Sequence, residues 1–296
     1  MSDETLASSV TSGFSGCVVQ SPLGAVNFLS TLASGAYGTV YKAELKKGNE
    51  EGKEASRLCA VKVVSRHSED QSTDFQLEAE TLELLRSKGQ HPRIVGYHGS
   101  WILQEDTNFG LLFFDLAPLG SLYDLMKQLG EGITVCLAWS IFEQILDGLA
   151  FIHSKNIFHN DIKPENLLMN NAGSIQITDF GLASRSYGEV PMNTGQGSPS
   201  FQPPEFFALG KFPADRGDIW AATITLVALV FYECPWDEAN ESEDVRYAQF
   251  VNVVIDKEEW GALGRYVDQV LRFLAHDPKE RQIPSFYLER LQTYRK

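Results

Sequence analysis

The feature that most restricts how this chain can fold is a change of hydrophobic period near residue 116. Before it, apolar residues come in short β-type runs at 40–45, 58–64, 94–103 and 110–116, with β-branched residues and flanking charges. The charged, glycine-containing stretch 46–57 suits an exposed hairpin loop. One stretch differs: Phe75, Leu77, Leu82 and Leu85 recur at helical spacing over 74–86, and His91-Pro92 ends it. After residue 116 helical patterns take over. Residues 137–153 carry Ile141, Phe142, Ile145, Leu146 and Leu149 on one face, 218–232 is apolar nearly all round, and 267–275 is amphipathic again. The reading is an α+β chain. A small β-rich unit with one key helix spans 26–116, and a larger, mainly helical unit spans 117–296. Residues 1–25, rich in Ser, Thr and Gly, read as a flexible tail.

Charge narrows the partners. With 39 Asp+Glu against 25 Lys+Arg, the formal charge is −14. That argues against a general binder of nucleic acid or anionic membranes, both polyanions. Cys17, Cys59, Cys136 and Cys234 are far apart with no paired spacing, which excludes a disulfide scaffold and fits a reducing setting, cytoplasmic or nuclear. The run 219–232 is about 14 residues, short of the roughly 20 that span a bilayer, so no membrane insertion is expected. Asp3 and Glu4 stand where a signal peptide would be basic.

Four short segments carry chemistry. In Leu32-Ala33-Ser34-Gly35-Ala36-Tyr37-Gly38-Thr39-Val40, two glycines three apart let backbone N–H groups approach phosphate oxygens without Cβ interference. Alone, the pair would be a plain hairpin turn. Lys62 lies late in an apolar strand, 24 residues beyond Gly38. It is costly to bury unless a carboxylate or a phosphate meets it, and otherwise it would snorkel to the surface. The following helix offers Glu78 and Glu80. Glu78 is preferred, because Leu82 and Leu85 follow at +4 and +7 on the apolar face. The loop His159-Asn160-Asp161-Ile162-Lys163-Pro164-Glu165-Asn166 brings together a carboxylate, an ammonium and an amide. Asp161 can orient or accept a hydroxyl proton, Lys163 can neutralise a transferring phosphoryl group, and Asn166 can ligate a hard cation. Asp179-Phe180-Gly181 comes 18 residues after Asp161. Asp179 and Asn166 would give Mg²⁺ two oxygen ligands, ATP phosphates and waters the rest. In isolation that tripeptide would be a turn.

In this order, followed by Pro203-Pro204-Glu205, Asp218-Ile219-Trp220 and Asp277-Pro278-Lys279-Glu280-Arg281, the segments resemble the eukaryotic protein kinase family over residues 26–290. Asp161-Ile162-Lys163-Pro164-Glu165-Asn166 is similar to its serine/threonine members. The resemblance implies the bilobal kinase fold, and transfer of the γ-phosphoryl of MgATP to Ser or Thr hydroxyls of protein substrates. It implies that Lys62 and Glu78 grip the α- and β-phosphates. Asp161, Lys163, Asn166 and Asp179 complete the catalytic set, with Asn166 and Asp179 on the metal. The nucleotide would lie among Leu32, Gly35, Gly38, Val40, Ala60 and Leu168. Phe114 would be the gatekeeper, and the backbone of Asp115 and Ala117 would bond the purine edge. Arg281 would pair with Glu205, Ser198 would hold the substrate loop near Asp161 and Lys163, and Leu82, Tyr97, His159 and Phe180 would form a packed column.

The chain also departs from the family pattern. Ala33 replaces the first glycine of the loop, Ser121 an acidic residue near the ribose, and Thr223 a glycine of the central helix. Asn160 replaces the arginine that normally clamps a phosphorylated segment. Activity that does not depend on a phosphate at Thr194 or Ser198 is therefore expected. Residues 196–205 resemble the tumour-suppressor master kinase upstream of AMP-activated kinase, which implies an activating regulatory partner protein. Residues 234–260 resemble checkpoint-type kinases of the calmodulin-kinase group. Two competing readings are a pseudokinase scaffold, for which Ala33 is the only positive sign, and a small-molecule kinase, which the peptide-docking look of 197–205 disfavours. Glu165 would meet a basic residue of the substrate. Glu233, Asp237, Glu238, Glu241, Glu243 and Asp244 form either a solvated loop or an attraction for a basic partner.

Overall fold

The computed structural model describes residues 13–35, 38–48, 54–65, 69–104, 106–185, 190–191, 197–207, 211–252 and 260–295. Ala36, Tyr37 and Thr194 lie outside them. Two units are formed. The first runs to Gly89 and resumes at Val95–Ala117; the second takes Gln90–Ile94 and continues from Pro118. A single boundary at 116/117 is therefore too simple. Residues 90–94 belong with the helical unit because their side chains find partners there. His91 stacks on Phe151 at 4.6 Å, Arg93 donates to Gln144 Oε1 at 2.6 Å, and Ile94 bridges Ile177.

The first unit is an antiparallel sheet in the order β1-β2-β3-β4-β6-β5. The strands are β1 (Val18–Ser21), β2 (Gly24–Gly35), β3 (Gly38–Gly48), β4 (Glu54–Ser65), β5 (Tyr97–Ile102) and β6 (Phe109–Asp115). Side chains alternate across a strand, and directly paired residues share a face. Cys59, Val61 and Val63 of β4 enter a core with Phe14, Phe28, Tyr41 and Phe113. Ala60 and Lys62 turn the other way. Val40 pairs with Lys62, Lys62 with Leu112, and Ala60 with Phe114, so these five side chains occupy one face. Helix α1 (Glu69–Ser87) packs on the sheet through Phe75, which lies where a Cβ on Gly110 would come within 2.4 Å of its ring.

Three expectations change here. Residues 13–25 are not a tail: Phe14 and Val19 are buried, and the Phe14 ring lies 5.3 Å from Phe28. Composition concealed a short strand whose apolar partners come from β2. The hairpin loop is also shorter, since β3 and β4 stay paired out to Gly48–Glu54. A solvated two-stranded extension accepts charged side chains on both faces, because its ladder needs only backbone groups. Leu77 is 50% exposed, because two residues beyond Phe75 is the opposite side of a helix.

The second unit centres on α3 (Val135–Ser154), packed against α5 (Ala214–Phe231) and α8 (Ser285–Arg295). Around these lie α2 (Leu122–Leu129), α4 (Pro204–Phe207), α6 (Val245–Asn252), α7 (Val267–Phe273) and the hairpin β7 (Leu167–Met169)–β8 (Ile175–Ile177). Among the described residues, helix α3 is long and apolar enough to cross a membrane by length and composition. Its residues Ile141, Phe142, Ile145, Leu146 and Leu149 are buried inside this unit, so it is a core helix here. Helix α5 is buried on all sides from Gly217 to Leu229, as its lack of a polar face requires.

Candidate active site

In the first unit, Lys62 is buried, and its Nζ donates to both carboxylate oxygens of Glu78 at 2.9 and 2.8 Å. Glu78 is itself 3% exposed, whereas Glu80 is on the solvent side and accepts from Gln76. The pairing follows from two periods: strand alternation turns Lys62 off the aromatic core, and helical spacing puts Glu78 with Leu82 and Leu85 on the buried face of α1. Gly35 and Gly38 pair at the end of β2 and β3. Gly38 has φ +131°, and a Cβ there would lie 2.5 Å from Val63 O. Leu32 is half-exposed, Val40 and Ala117 are partly buried, and Ala60 and Phe114 are buried. The Asp115 N–H donates to Gly96 O at 2.8 Å, and its carboxylate meets His98 Nε2 at 2.7 Å. What Asp115 can offer a purine is therefore its carbonyl.

In the second unit, Asp218 near the start of α5 organises the loop at 159–166. Its Oδ2 accepts the His159 N–H at 2.8 Å and its Oδ1 the Asn160 N–H at 2.7 Å. His153 Nε2 lies 2.8 Å from Oδ2, and His153 Nδ1 lies 2.8 Å from the Tyr287 hydroxyl of α8. Burial first, then the charges of Asp215 and Asp218, push the Tyr287 phenol well up, which keeps it a donor. Within the loop, Asp161 Oδ2 accepts from Lys163 Nζ at 2.8 Å and from Asn166 Nδ2 at 2.9 Å. Lys163 also donates to Ser198 Oγ at 2.9 Å. Asp179 has φ +63°, a left-handed backbone that few non-glycine residues adopt and that asparagine and aspartate tolerate best. Its neighbour Phe180 is 1% exposed, edge-on to His159 at 5.0 Å, while His159 Nε2 meets Thr178 O at 2.9 Å. Leu168 sits in β7, bridged to Ser121. Arg281 holds Glu205 with two bonds of 2.7 and 2.8 Å.

Sequence reasoning undervalued several residues. Asp218 is nearly fully buried; the signal the sequence offers for it is a carboxylate at the head of an apolar run, which is costly to bury without partners. Ser121 has another role from the one expected. It caps α2, its hydroxyl donating to Asp124 Oδ2 at 2.7 Å and accepting from Asp124 N at 3.1 Å. Asp244 is not part of an available acidic surface. It is buried and accepts the N–H groups of Asp237 and Tyr247 at 2.7 and 3.0 Å. Asp237 pairs with Arg246 at 2.9 Å.

The donor set fits a phosphate and a hard cation. Lys62 is a preformed buried cation site held by one carboxylate. Both bonds made by the Asn166 side chain use Nδ2, leaving the amide oxygen to face a cation. Among the described residues no three His, Cys, Asp or Glu side chains converge on a metal site. Asn166 and Asp179 would therefore hold Mg²⁺ together with oxygens from outside the chain, which is how Mg²⁺ is commonly bound.

The model of the family described as protein kinase domain matches residues 26–285. The serine/threonine-protein kinase chk-1 of Caenorhabditis elegans is 27% identical over 266 residues, 89% of this chain and 51% of that protein. Mitogen-activated protein kinase kinase kinase 3 of Arabidopsis thaliana is 32% identical over 208 residues, covering 70% and 32%. Serine/threonine-protein kinase 10 of Homo sapiens is 31% identical over 214 residues, covering 71% and 21%. The chain spans about half, or less, of the length of these relatives.

Proposed function

The chain belongs to the protein kinase domain family, and on that footing we propose that it transfers the γ-phosphoryl group of MgATP to serine or threonine hydroxyls of proteins. The observation that carries the reading is the shared Asp161 carboxylate, which ties Lys163 and Asn166 to one oxygen at 2.8 and 2.9 Å. Asp161 Oδ1 is then the atom that accepts the bond from the substrate hydroxyl. As the hydroxyl oxygen bonds to phosphorus and the bond to ADP breaks, the hydroxyl proton passes to Asp161. Lys163 places positive charge beside the transferring group. Lys62, held by Glu78, binds the α- and β-phosphates, and Asn166 with Asp179 would hold Mg²⁺. The metal, when bound, neutralises phosphate charge. Val40, Ala60 and Phe114 share one sheet face that suits a purine; the family resemblance adds Leu32, the Asp115 carbonyl, the Ala117 backbone and, from the second unit, Leu168.

Finer features belong to the same reading. Asn160 carries no charge to hold a phosphate, which supports turnover without segment phosphorylation, or with an activating partner protein in its place. Glu165 is exposed and would favour a basic residue near the acceptor hydroxyl. The expected location is cytoplasm or nucleus.

The test is direct. The purified chain and its Asp179→Asn variant are incubated with radiolabelled MgATP and a generic protein substrate. Transfer onto Ser and Thr by the wild type, lowered by a factor of about a hundred or more in the variant, is expected. Equal background from both would sink the proposal and favour a scaffold.

A further inference from the structure

We propose that Asn160 is a positioning residue whose two amide groups, side chain and main chain, fasten the stretches 182–184 and 197–202 beside Asp161. The inference rests on the reading of Asp161 as the hydroxyl-orienting group, and it adds a bonding role for Asn160 and Gln202 that the resemblance did not give.

The contacts come from two directions. The Asn160 side-chain nitrogen Nδ2 lies 2.9 Å from Leu182 O, 3.1 Å from Ser184 Oγ and 3.4 Å from Phe158 O. It donates to the stretch that directly follows Asp179-Phe180-Gly181. A short bridge reinforces this end: Phe158 and Ser184 exchange N–H···O bonds, both 2.9 Å. From the other end, Gln202 is 8% exposed and donates its Nε2 to Asn160 O at 3.2 Å. Gly197 leaves room for that amide. Its φ is +90°, and a Cβ there would come within 2.4 Å of Gln202 Nε2 and 3.6 Å of Asp161 Oδ1.

Asn160 is also fixed in place. Its N–H is held by Asp218 Oδ1, and its φ is +64°. Asparagine is among the few residues that adopt left-handed backbone readily, and its amide supplies two donors. One residue therefore meets a backbone requirement and a bonding requirement at once. Through it, points twenty residues apart in sequence are fixed to the residue next to Asp161. The brace uses neutral hydrogen bonds, so it needs no added charge to close.

The test uses two variants of the whole chain. Asn160→Gly keeps the left-handed backbone and deletes only the side-chain amide. Gln202→Met keeps roughly the volume and deletes the donor. Each should lower kcat for protein phosphorylation about five- to twentyfold while leaving KM for ATP within about twofold. In Asn160→Gly, backbone amide exchange at Ser184 should also speed up about tenfold, a readout independent of turnover. Wild-type kcat in both variants, or unchanged Ser184 exchange in Asn160→Gly, overturns the proposal. If the wild type shows no more transfer than Asp179→Asn, the kinase reading fails instead, and Ser184 exchange still decides the brace.

Discussion

Lys62 and Glu78 show how much depends on a single buried pair. Their side chains are 7% and 3% exposed, so neither charge is relieved by water. Glu78→Gln would leave the ammonium facing a neutral amide. Breaking a buried pair from one side costs about 3–5 kcal/mol, while replacing both partners with apolar residues is often neutral. The expectation is a large loss of stability in Glu78→Gln and its recovery to within about 1–2 kcal/mol in the double variant Lys62→Met/Glu78→Leu, read by denaturant unfolding. Phosphoryl transfer should be lost in both. A double variant as unstable as the single one would mean that the pair is not the unit that matters. This pair was legible in advance, because a lysine in an apolar strand demands a partner and helical spacing singles out Glu78. The role of Asn160 was not, because its bonds depend on a left-handed backbone and on residues more than twenty positions away.

Among the elements, α6 and the turn before it depend on one carboxylate. Burial pushes the Asp244 carboxyl up, but bonds from the N–H groups of Tyr247, Asp237, Glu238 and Arg246 outweigh it and hold the group below the ordinary 3.8. A carboxyl with a depressed folded-state pKa contributes stability above its unfolded value, and loses it as pH falls through the folded value. Asp244→Asn should therefore destabilise the chain by about 1–2 kcal/mol at pH 7, and the gap should close as pH falls through the folded value, which lies below 3.8. Parallel denaturation curves at pH 7 and at a series of lower pH values check this, and a gap that stays the same size throughout the acid range would reject it. The sequence presented Asp244 as one of a run of exposed acids; only the fold distinguishes the capping member from the solvated ones. The same limit explains the element boundaries. Periodicity located α1, α3, α5 and α7, because each has a buried face. It missed β1 and shortened β3 and β4, because strand ladders continue through residues whose side chains reach water.

Across the whole molecule, the chain changes unit three times, at residues 89/90, 94/95 and 117/118. The excursion 90–94 is secured by a directional relay. The Arg93 N–H donates to His91 Nδ1 at 3.2 Å, so Nε2 carries the proton and meets the Tyr294 hydroxyl at 2.8 Å. That hydroxyl donates to Asp147 Oδ1 at 2.7 Å, and Arg290 and Arg93 flank the same carboxylate at 3.1 and 3.7 Å. Burial, then the hydrogen bond to Asp147 and the charge of Asp147, push the Tyr294 phenol up to about 12, so it remains a donor throughout the usual pH range. His91 is shifted the other way. Burial lowers it from 6.5, with Arg93 and Arg290 adding to the effect and Asp147 opposing it. A second proton would also set a donor against the Arg93 N–H. Because the folded pKa lies below the unfolded one, the unfolded chain takes up the proton first as pH falls. Stability should then decline as pH drops below about 6.5, and the decline should be shallower in His91→Gln, which accepts no proton. The measurement is unfolding free energy from pH 7.5 to 5.5 for both proteins. Identical slopes would show that acid acts elsewhere; a flattened slope in the variant would place the acid-sensitive joint where the chain leaves its sheet for α3 and α8.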